Sequence, residues 1–322
     1  MHIPDGFLSA PVSVTCAGLS TVAVGAATFR SRGRLGPRAV AMVGVTAAFV
    51  FAAQMINFPV VGGTSGHLVG GVLAAVLVGP SSAIIVMTAV LALQCLVFGD
   101  GGLLALGANV LNMAVVQPLV GFAIYTAILG HARPGRGRDV RRIAGVAFAG
   151  CFATLVAAAT CAGELALSRV VAPALVLPAM ISVHVVVGVG EAVITGLVIA
   201  ALVRLRPELL DRARASWVSP ASSIVVPGLA AALALALFVT PFACPWPDGL
   251  ERVVERLGIS PSQARISIPA PLRGYVVPGL GGASTTAAAA LVGTLLASGL
   301  CVVLGLCLAP RSARSGPPER PS

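Results

Sequence analysis

Lysine is missing from the sequence, and all 21 basic residues among its 322 positions are arginine. Charged residues make up only 10% of the chain and aromatic residues only 5%. A phosphate-binding loop of the Walker A type needs a lysine, so the chain cannot hydrolyse ATP through that motif. Nucleic-acid-binding surfaces combine basic with aromatic residues. Here the arginines form short clusters between apolar runs, and no nucleic-acid partner is predicted.

The sequence also lacks the signatures of common enzyme classes. It has no HExxH or GxSxG motif and no acidic pair at catalytic spacing, so we predict that it is not an enzyme. The seven cysteines form neither a disulfide framework nor a zinc motif. Six of them lie inside or at the edge of apolar runs, where a reduced cysteine acts as a small hydrophobic residue.

What the sequence has in abundance is long apolar runs. Apolar residues make up 57% of the chain, and the mean hydropathy is +0.98. A helix needs about 20 apolar residues to cross a bilayer. We therefore predict an all-α, polytopic transmembrane protein with about nine spans, of which the third is short and rich in glycine. The runs lie at about 10–29, 39–57, 67–79, 81–98, 103–129, 143–163, 173–203, 221–242 and 283–309.

The arginines predict the orientation of these spans. The loops at 30–38, 131–142 and 204–216 and the carboxyl-terminal tail together hold 16 of them. Because basic residues concentrate on the cytoplasmic side, we expect the amino terminus outside and the carboxyl terminus inside, in the inner (cytoplasmic) membrane. The arginines follow the first apolar run, whereas those of a signal peptide precede it, so no cleaved signal is expected.

This orientation brings polar elements together on the outer face. They are the opening MHIPDGF, the loop at 57–67, the loop at 98–102 and the long connection from Cys244 to Gly279. Within the connection, Asp248 and Glu251 have the spacing of a helix-capping box, and Gly258 would end the helix. This helix can either pack on the outer surface or contribute directly to a ligand site.

The first two residues offer the donors of a metal chelate. The amine of Met1, the peptide nitrogen of His2 and the His2 imidazole can close two fused small rings around one cation, and His67 can add a fourth nitrogen. A square of nitrogens suits Ni(II) or Cu(II). The alternatives are a chance histidine at a frayed terminus and a locally bonded histidine at a helix end. Retention of the initiator methionine is expected, because His2 is too large for its usual removal.

A second group of residues is expected to support this site or to form an ion pathway. His184 and Glu191 lie seven positions apart on one face of the seventh span, and ionisable residues within a membrane are functional candidates. They could instead be a structural pair. Asp100 in FGDGG is expected either to cap a helix or to brace the site, with Gln94, Asn109 and Asn112 nearby. His131, among arginines, is expected to be solvated.

Four motifs in chain order resemble one known family. MHIPDGFLS, NFPVVGGTSGHLVGG, FGDGGLLALGANVLNMAVV and HVVVGVGEAVITGLV are similar to the substrate-binding membrane component of nickel and cobalt energy-coupling-factor transporters, the NikM/CbiM family. PWPDGLERV and the following span resemble the auxiliary subunit, or PDGLE domain. The resemblance therefore implies a substrate-binding domain at 1–216 and a PDGLE-like domain at 217–322.

The resemblance also implies roles for particular residues and partners. The metal ligands would be Met1, His2 and His67. Apart from the resemblance, Asp5 and Ser65 are further candidates to support the site or to form an ion pathway. A transmembrane coupling protein and cytoplasmic ATPase subunits would be the partners. No permanently bound cofactor is expected, because the metal is the transported substrate.

The function predicted from these observations is high-affinity uptake of Ni(II). Uptake of Co(II) by the same mechanism is the nearest alternative. A different alternative is a stand-alone carrier that couples metal to protons through Glu191 and His184. A purely structural membrane subunit would require that no metal binds.

Overall fold

The computed structural model describes residues 1–60, 62–130, 135–210, 222–259 and 269–310. These residues form a helical membrane protein with one small antiparallel hairpin, in which Phe58 pairs with Gly66. The predicted domain boundary at 216 and the expected solvation of His131 fall outside the described residues. In chain order the elements are α1 (Ala10–Ser31), α2 (Pro37–Gln54), β1 (Phe58–Val60), β2 (Thr64–Gly66), α3 (Gly71–Val78), α4 (Pro80–Leu93), α5 (Leu106–Asn109), α6 (Gln117–Leu129), α7 (Arg136–Leu167), α8 (Pro173–Leu205), α9 (Ser222–Ala234), α10 (Gly249–Arg256) and α11 (Ala283–Leu308).

The all-α, polytopic prediction is confirmed. Within the described residues, eight helices are long and apolar enough to cross a membrane. The predicted third span differs from the others, because its helix α3 has only eight residues and so reaches about 12 Å. Residues 67–70, directly before α3, have no regular secondary structure and are buried, as irregular backbone at membrane depth must be. Nine crossings and their orientation stay predictions.

Proline and glycine explain where several helices begin and end. Proline lies in the first turn of α1, α2, α4 and α8, where its missing N–H costs no hydrogen bond. Gly79 separates α3 from α4 with a φ of 86°, a conformation that favours glycine. Pro80 then starts α4, so the two helices cannot merge into one long span.

Two helices contain π-helical turns beside the amino terminus. Helix α4 continues through a π turn at Gln94–Phe98, and a second π turn at Val110–Val116 joins α5 to α6. Such turns in membrane helices often mark functional sites. Gln94 and Asn109 lie at the edges of these two turns. Gln94 contacts His2, and Asn109 contacts Ile3.

Small residues allow the helices to pack closely. Helix α7 lies along α8, and α11 lies along α2. A Cβ at Gly188 of α8 would lie 3.1 Å from the carbonyl oxygen of Cys151 in α7. At Gly293 of α11 it would collide with the ring of Phe51. Small residues at helix contacts allow such close approach within a bilayer. Here they let α11 pack directly against α2.

The short helix α10 has the structure that its sequence predicts. Asp248 accepts from the amide of Glu251, and Glu251 reaches back to the amide of Asp248, so the capping box is confirmed. Leu250 and Val253 are buried against the core cluster that also contains Met1. Gly258 ends the helix with a φ of 62°. The apolar face of α10 therefore packs on the membrane domain beside the amino terminus.

Candidate metal centre

The amino terminus is buried and anchored. Met1 is 5% exposed, His2 8% and Ile3 0%. The amide of Ile3 donates to Oδ1 of Asn109 at 2.8 Å, and Nδ2 of Asn109 donates to the Ile3 carbonyl at 3.1 Å. Gly102 donates to the same carbonyl at 2.9 Å. These bonds fix the chain directly behind His2, so the alternative of a frayed terminus does not describe this structure.

Asp5 anchors the next part of the amino-terminal segment MHIPDGF, residues 1–7, which we call the hook. Its carboxylate accepts from the amides of Leu103, Leu104 and Ala105 at 3.1, 2.8 and 3.3 Å. Charged acceptors stabilise such unpaired N–H groups at the start of a helical segment. A Cβ at Gly102 would collide with Asp5, so this close approach depends on glycine. Asp5 therefore anchors the hook to the loop before α5.

The rings of His2 and His67 face each other. Their centroids are 5.6 Å apart with an interplanar angle of 20°. Nδ1 of His67 lies 2.9 Å from the carbonyl oxygen of Leu68. Because a carbonyl only accepts, Nδ1 carries the proton and Nε2 keeps its lone pair. With its Nδ1 proton bonded to the Leu68 carbonyl, the His67 imidazole offers Nε2 as a metal donor.

Ser65 connects the hairpin to the segment before α10. Its amide donates to the Pro247 carbonyl at 2.8 Å, and its hydroxyl donates to the Trp246 carbonyl at 2.7 Å. Arg252 and Arg256 of α10 donate to the carbonyl of Gly62 in the same hairpin. These bonds fix the strand that leads to His67.

The amine of Met1 forms an ion pair with Asp248. Oδ2 of Asp248 lies 2.6 Å from the amine nitrogen. The side chain of Asp248 is 16% exposed and that of Met1 is 2% exposed. Burial by itself lowers the pKa of the amine, but the charge and hydrogen bond of Asp248 outweigh it and raise the pKa above the usual value. Burial likewise opposes ionisation of Asp248, yet the amine holds the pKa of that carboxyl well below its usual range. Helix α10 thus packs on the surface and also contacts the site.

His184 faces the same small space. Met1, His67, His184 and Asp248 line a cavity of about 10 Å³, close to the room that one water molecule needs. Nδ1 of His184 lies 2.8 Å from the Met180 carbonyl, which leaves Nε2 with a lone pair. A Cβ at Gly249 would lie 3.1 Å from that Nε2, so the glycine after Asp248 gives His184 its room.

Glu191 supports the chain that follows His67. Its carboxylate accepts from the amides of Val69 at 2.6 Å and Gly70 at 3.0 Å, and from Nε2 of Gln117 at 3.2 Å. It is fully buried. The suggested structural pair of His184 and Glu191 is not formed, because each contacts a different partner. Buried backbone amides need acceptors, and Glu191 supplies them at the turn into α3.

Asp100 lies beside Nδ1 of His2. Its Oδ1 is 3.3 Å from Nδ1 of His2, and its Oδ2 accepts from the hydroxyl of Tyr275 at 2.6 Å. Asp100 thus contacts His2 and Tyr275, while Asp5 nearby accepts from the amides just before α5. An open cleft of about 530 Å³ leads to His2. Carboxylates on a cleft attract cations, and the charged residues that line it include Asp100, Asp248, Glu251 and Arg273.

The contacts of two buried residues, Gln54 and Glu164, were not predicted from the sequence. Gln54 contacts both Gln94 and the Val69 carbonyl. Glu164 accepts from Nδ2 of Asn112 at 2.7 Å and from the thiol of Cys16 at 3.4 Å. The predicted sixth span ended at 163, one residue before this acid, whereas α7 continues to Leu167. A polar residue within a long apolar run is the signal that could have identified Gln54.

Within the described residues, no three side chains of histidine, cysteine, aspartate or glutamate stand together as a metal-ligand cluster. Two of the four predicted donors, the amine of Met1 and the amide of His2, are main-chain nitrogens and so do not belong to a side-chain cluster. The structure brings the amine of Met1, the ring of His2 and the ring of His67 to one buried place. His184 and Asp248 adjoin them, while Asp5, Ser65, Asp100 and Glu191 support the surrounding chain.

Known proteins are similar to this chain in sequence and fold. The family model of the cobalt uptake substrate-specific transmembrane region matches residues 2–209, and that of the PDGLE domain matches residues 222–310. A provisionally named fused nickel transport protein NikMN of Archaeoglobus fulgidus is 35% identical over 303 residues, covering 92% of this chain and 95% of its own. The fused nickel transport protein NikMN of Rhodobacter capsulatus is 37% identical over 227 residues, 67% of this chain and 65% of its own. A crystal structure of a transition metal transporter is 33% identical with a TM-score of 0.57, covering 64% of this chain and 93% of its own.

Proposed function

Since the chain belongs to the family of cobalt uptake substrate-specific transmembrane regions, we propose that it binds Ni(II) for high-affinity uptake as the metal-binding component of an ATP-driven energy-coupling-factor transporter. One observation carries this proposal. The anchored hook buries the Met1 amine and sets the His2 ring against the ring of His67 at 5.6 Å. Burying an amino terminus is costly, and metal capture gives that cost a purpose.

The proposed donors are four nitrogens. They are the amine of Met1, the deprotonated amide and the imidazole of His2, and Nε2 of His67, whose other nitrogen bonds to the Leu68 carbonyl. Such second bonds on metal-binding histidines fix the tautomer and the ring direction. Four nitrogens in a plane favour Ni(II) and Cu(II). Titration calorimetry of the purified chain with Ni(II), Co(II) and Cu(II) tests the proposal, which fails if none of them binds.

Cobalt is the nearest alternative substrate, because the family that matches residues 2–209 is named for cobalt uptake. Co(II) usually takes more ligands than four nitrogens in a plane. His184 and Asp248 border the cavity and could supply them. The proposal of nickel expects the Ni(II) affinity to exceed the Co(II) affinity in the calorimetric titration, and the reverse order would favour cobalt.

A stand-alone, proton-coupled carrier is the second candidate. It would need Glu191 and His184 to exchange protons, yet Glu191 is engaged by two backbone amides and His184 by a carbonyl. Reconstitution of the chain alone, with and without a proton gradient, separates the two. The carrier predicts gradient-dependent metal accumulation without ATPases. Our proposal predicts none until the ATPases and the coupling protein are added with ATP. A purely structural subunit would bind no metal.

The remaining parts of the proposal concern location and partners. The sequence lacks lysine and hence a Walker A loop, so ATP hydrolysis is assigned to separate cytoplasmic ATPase subunits joined through a transmembrane coupling protein. We place the chain in the inner membrane, with a substrate-binding domain at 1–216 and a PDGLE-like domain at 217–322. Co-purification of the tagged chain with its coupling protein tests the partner assignment.

A further inference from the structure

Two buried glutamines join the carbonyl of Val69 to the imidazole of His2. Nε2 of Gln54 donates to the Val69 oxygen at 2.7 Å, and Nε2 of Gln94 donates to Oε1 of Gln54 at 2.9 Å. Oε1 of Gln94 then lies 3.2 Å from Nε2 of His2. Gln54 is 5% exposed and Gln94 1%. We call these two side chains the amide chain.

The direction of the amide chain is set at its Val69 end. A backbone carbonyl can only accept a hydrogen bond. Gln54 must therefore turn its NH₂ group toward Val69 and its oxygen toward Gln94. That oxygen in turn requires the NH₂ group of Gln94, which leaves the Gln94 oxygen facing His2. Turning either amide around would oppose two donors or two acceptors in a buried place, which is costly.

This direction determines which nitrogen of His2 carries the proton. An oxygen beside Nε2 is satisfied only by an N–H at that position. Neutral imidazole has one N–H, so Nδ1 keeps its lone pair. Nδ1 is also the nitrogen closer to the main chain, and it is the one that can close a small chelate ring with the His2 peptide nitrogen. The amide chain thus favours the tautomer that the proposed chelate needs.

Asp100 makes this choice necessary. Its Oδ1 lies 3.3 Å from Nδ1 of His2, and its other oxygen is fixed by Tyr275. An anion there attracts a metal ion to Nδ1, but it attracts a proton as well. A proton on Nδ1 would occupy the ligand atom. Without an oriented acceptor at Nε2, the neutral ring would turn its single N–H toward Asp100.

We propose that Gln54 and Gln94 are positioning residues that hold neutral His2 with its proton on Nε2 and so present Nδ1 to the metal. This inference rests on the proposed function, since it assumes that His2 is a ligand. The amide chain also links both ligand elements, because Val69 lies two residues after His67 and its own amide donates to Glu191 at 2.6 Å.

Nitrogen NMR of the metal-free, full-length protein tests the inference. Imidazole nitrogens are labelled with ¹⁵N, and the His2 signals are identified by their loss in His2→Ala. Gln94→Met removes the acceptor at similar volume. Gln54→Met does not touch His2 but frees Gln94 to turn around. Both variants should move the His2 proton toward Nδ1 and lower the nickel affinity by roughly 10- to 100-fold, as losses of such supporting partners do.

Two further variants separate this role from simple packing. Gln94→Glu loses the NH₂ group that donates to Gln54 but still accepts from Nε2–H, so it should keep the His2 proton on Nε2 and bind nickel better than Gln94→Met. Thr88→Val removes a hydroxyl from the same helix, where it bonds only locally to the Ile84 carbonyl, and it should leave both tautomer and affinity native.

The inference is overturned if Gln54→Met and Gln94→Met keep the proton on Nε2 and bind nickel like the native chain. This outcome differs from a failure of the proposed function. In that case the native protein would bind no nickel, while the NMR of the metal-free protein would still report whether the amide chain sets the tautomer.

Discussion

Oδ2 of Asp248 lies 2.6 Å from the amine nitrogen of Met1, while Oδ1 of the same carboxylate accepts from the amide of Glu251 at 2.8 Å. One side chain therefore joins the first residue of the chain to the start of α10. Because the amine is a proposed ligand, a metal ion must displace the proton that this ion pair stabilises. The contact predicts how metal binding depends on pH.

Asp248→Asn should change the number of protons that nickel releases. Asparagine caps helices as well as aspartate does, but it lacks the charge that, against the effect of burial, raises the pKa of the amine. At about pH 8, near the ordinary amine pKa, the native chain still has a protonated amine. It should release about two protons per nickel, from the amine and the His2 amide. In the variant the amine is deprotonated, and the release should approach one. Calorimetry in buffers of different ionisation enthalpy measures this number.

The control for this experiment is Glu255→Gln. It removes a carboxylate from the exposed end of the same helix, where Arg252 is the ion-pair partner of Glu255 among the described residues. It should release the native number of protons. Equal proton release by Asp248→Asn and the native chain across the neutral pH range would contradict a role for Asp248 at the amine.

Glu191→Gln should weaken nickel binding. The glutamate oxygens serve two backbone amides at the turn after His67, and a glutamine has only one oxygen to offer them. The displaced turn should lower the nickel affinity by roughly 10- to 100-fold, measured by calorimetry. Glu208→Gln, beyond the end of α8, serves as the control. Native affinity combined with loss of proton-driven accumulation would favour the proton-coupled carrier instead.

Bound nickel should be diamagnetic. Four nitrogen donors in a plane, one of them a deprotonated amide, favour the low-spin form of Ni(II). The complex should be yellow, and proton NMR lines of residues around His2 should stay sharp after nickel is added. Paramagnetically broadened lines with stoichiometric nickel bound would mean that further ligands complete a different, non-planar geometry. His184, which lines the same cavity, is a candidate for such a ligand.

Cysteine labelling tests the orientation. After replacement of the native cysteines by serine, Glu255→Cys on α10 should react with a membrane-impermeant reagent from outside. Asp139→Cys at the start of α7 should react only after permeabilisation, because the arginine-rich loops are expected inside. The opposite pattern would place the metal centre on the cytoplasmic face and exclude capture from outside.

The sequence predicts the helices well and the contacts between distant segments poorly. Apolar runs, proline and glycine gave seven of the long spans to within a few residues, and α7 with longer ends. The capping box in α10 followed from Asp248 and Glu251 alone. These features are local. Helix α3 is shorter than expected because Glu191, more than a hundred positions away, accepts from the amides of Val69 and Gly70 and holds the irregular chain before it.

The candidate site shows the same division. His2 and His67 could be selected from the sequence because their chemistry is distinctive and the outer loops share one face. Asp248, the partner of the Met1 amine, could not be selected in this way, because no local sequence pattern indicates that the second oxygen of a helix-capping carboxylate contacts residue 1. The roles of Gln54 and Gln94 depend on the direction of hydrogen bonds across three segments, which only the folded arrangement defines.

If the first nitrogen of the chain is itself a metal ligand, as proposed, an extension of the amino terminus should abolish metal binding. Adding even one residue before Met1 turns the amine into an ordinary amide and moves the new amine out of the chelate. Nickel titration of the native chain, a terminally extended chain and His67→Ala, each checked for folding, makes the comparison, with a carboxyl-terminal tag as the control. The extended chain should lose nickel binding at least as completely as His67→Ala, while the control binds normally. An extended chain that binds nickel like the native one would show that the hook only leads the chain into α1.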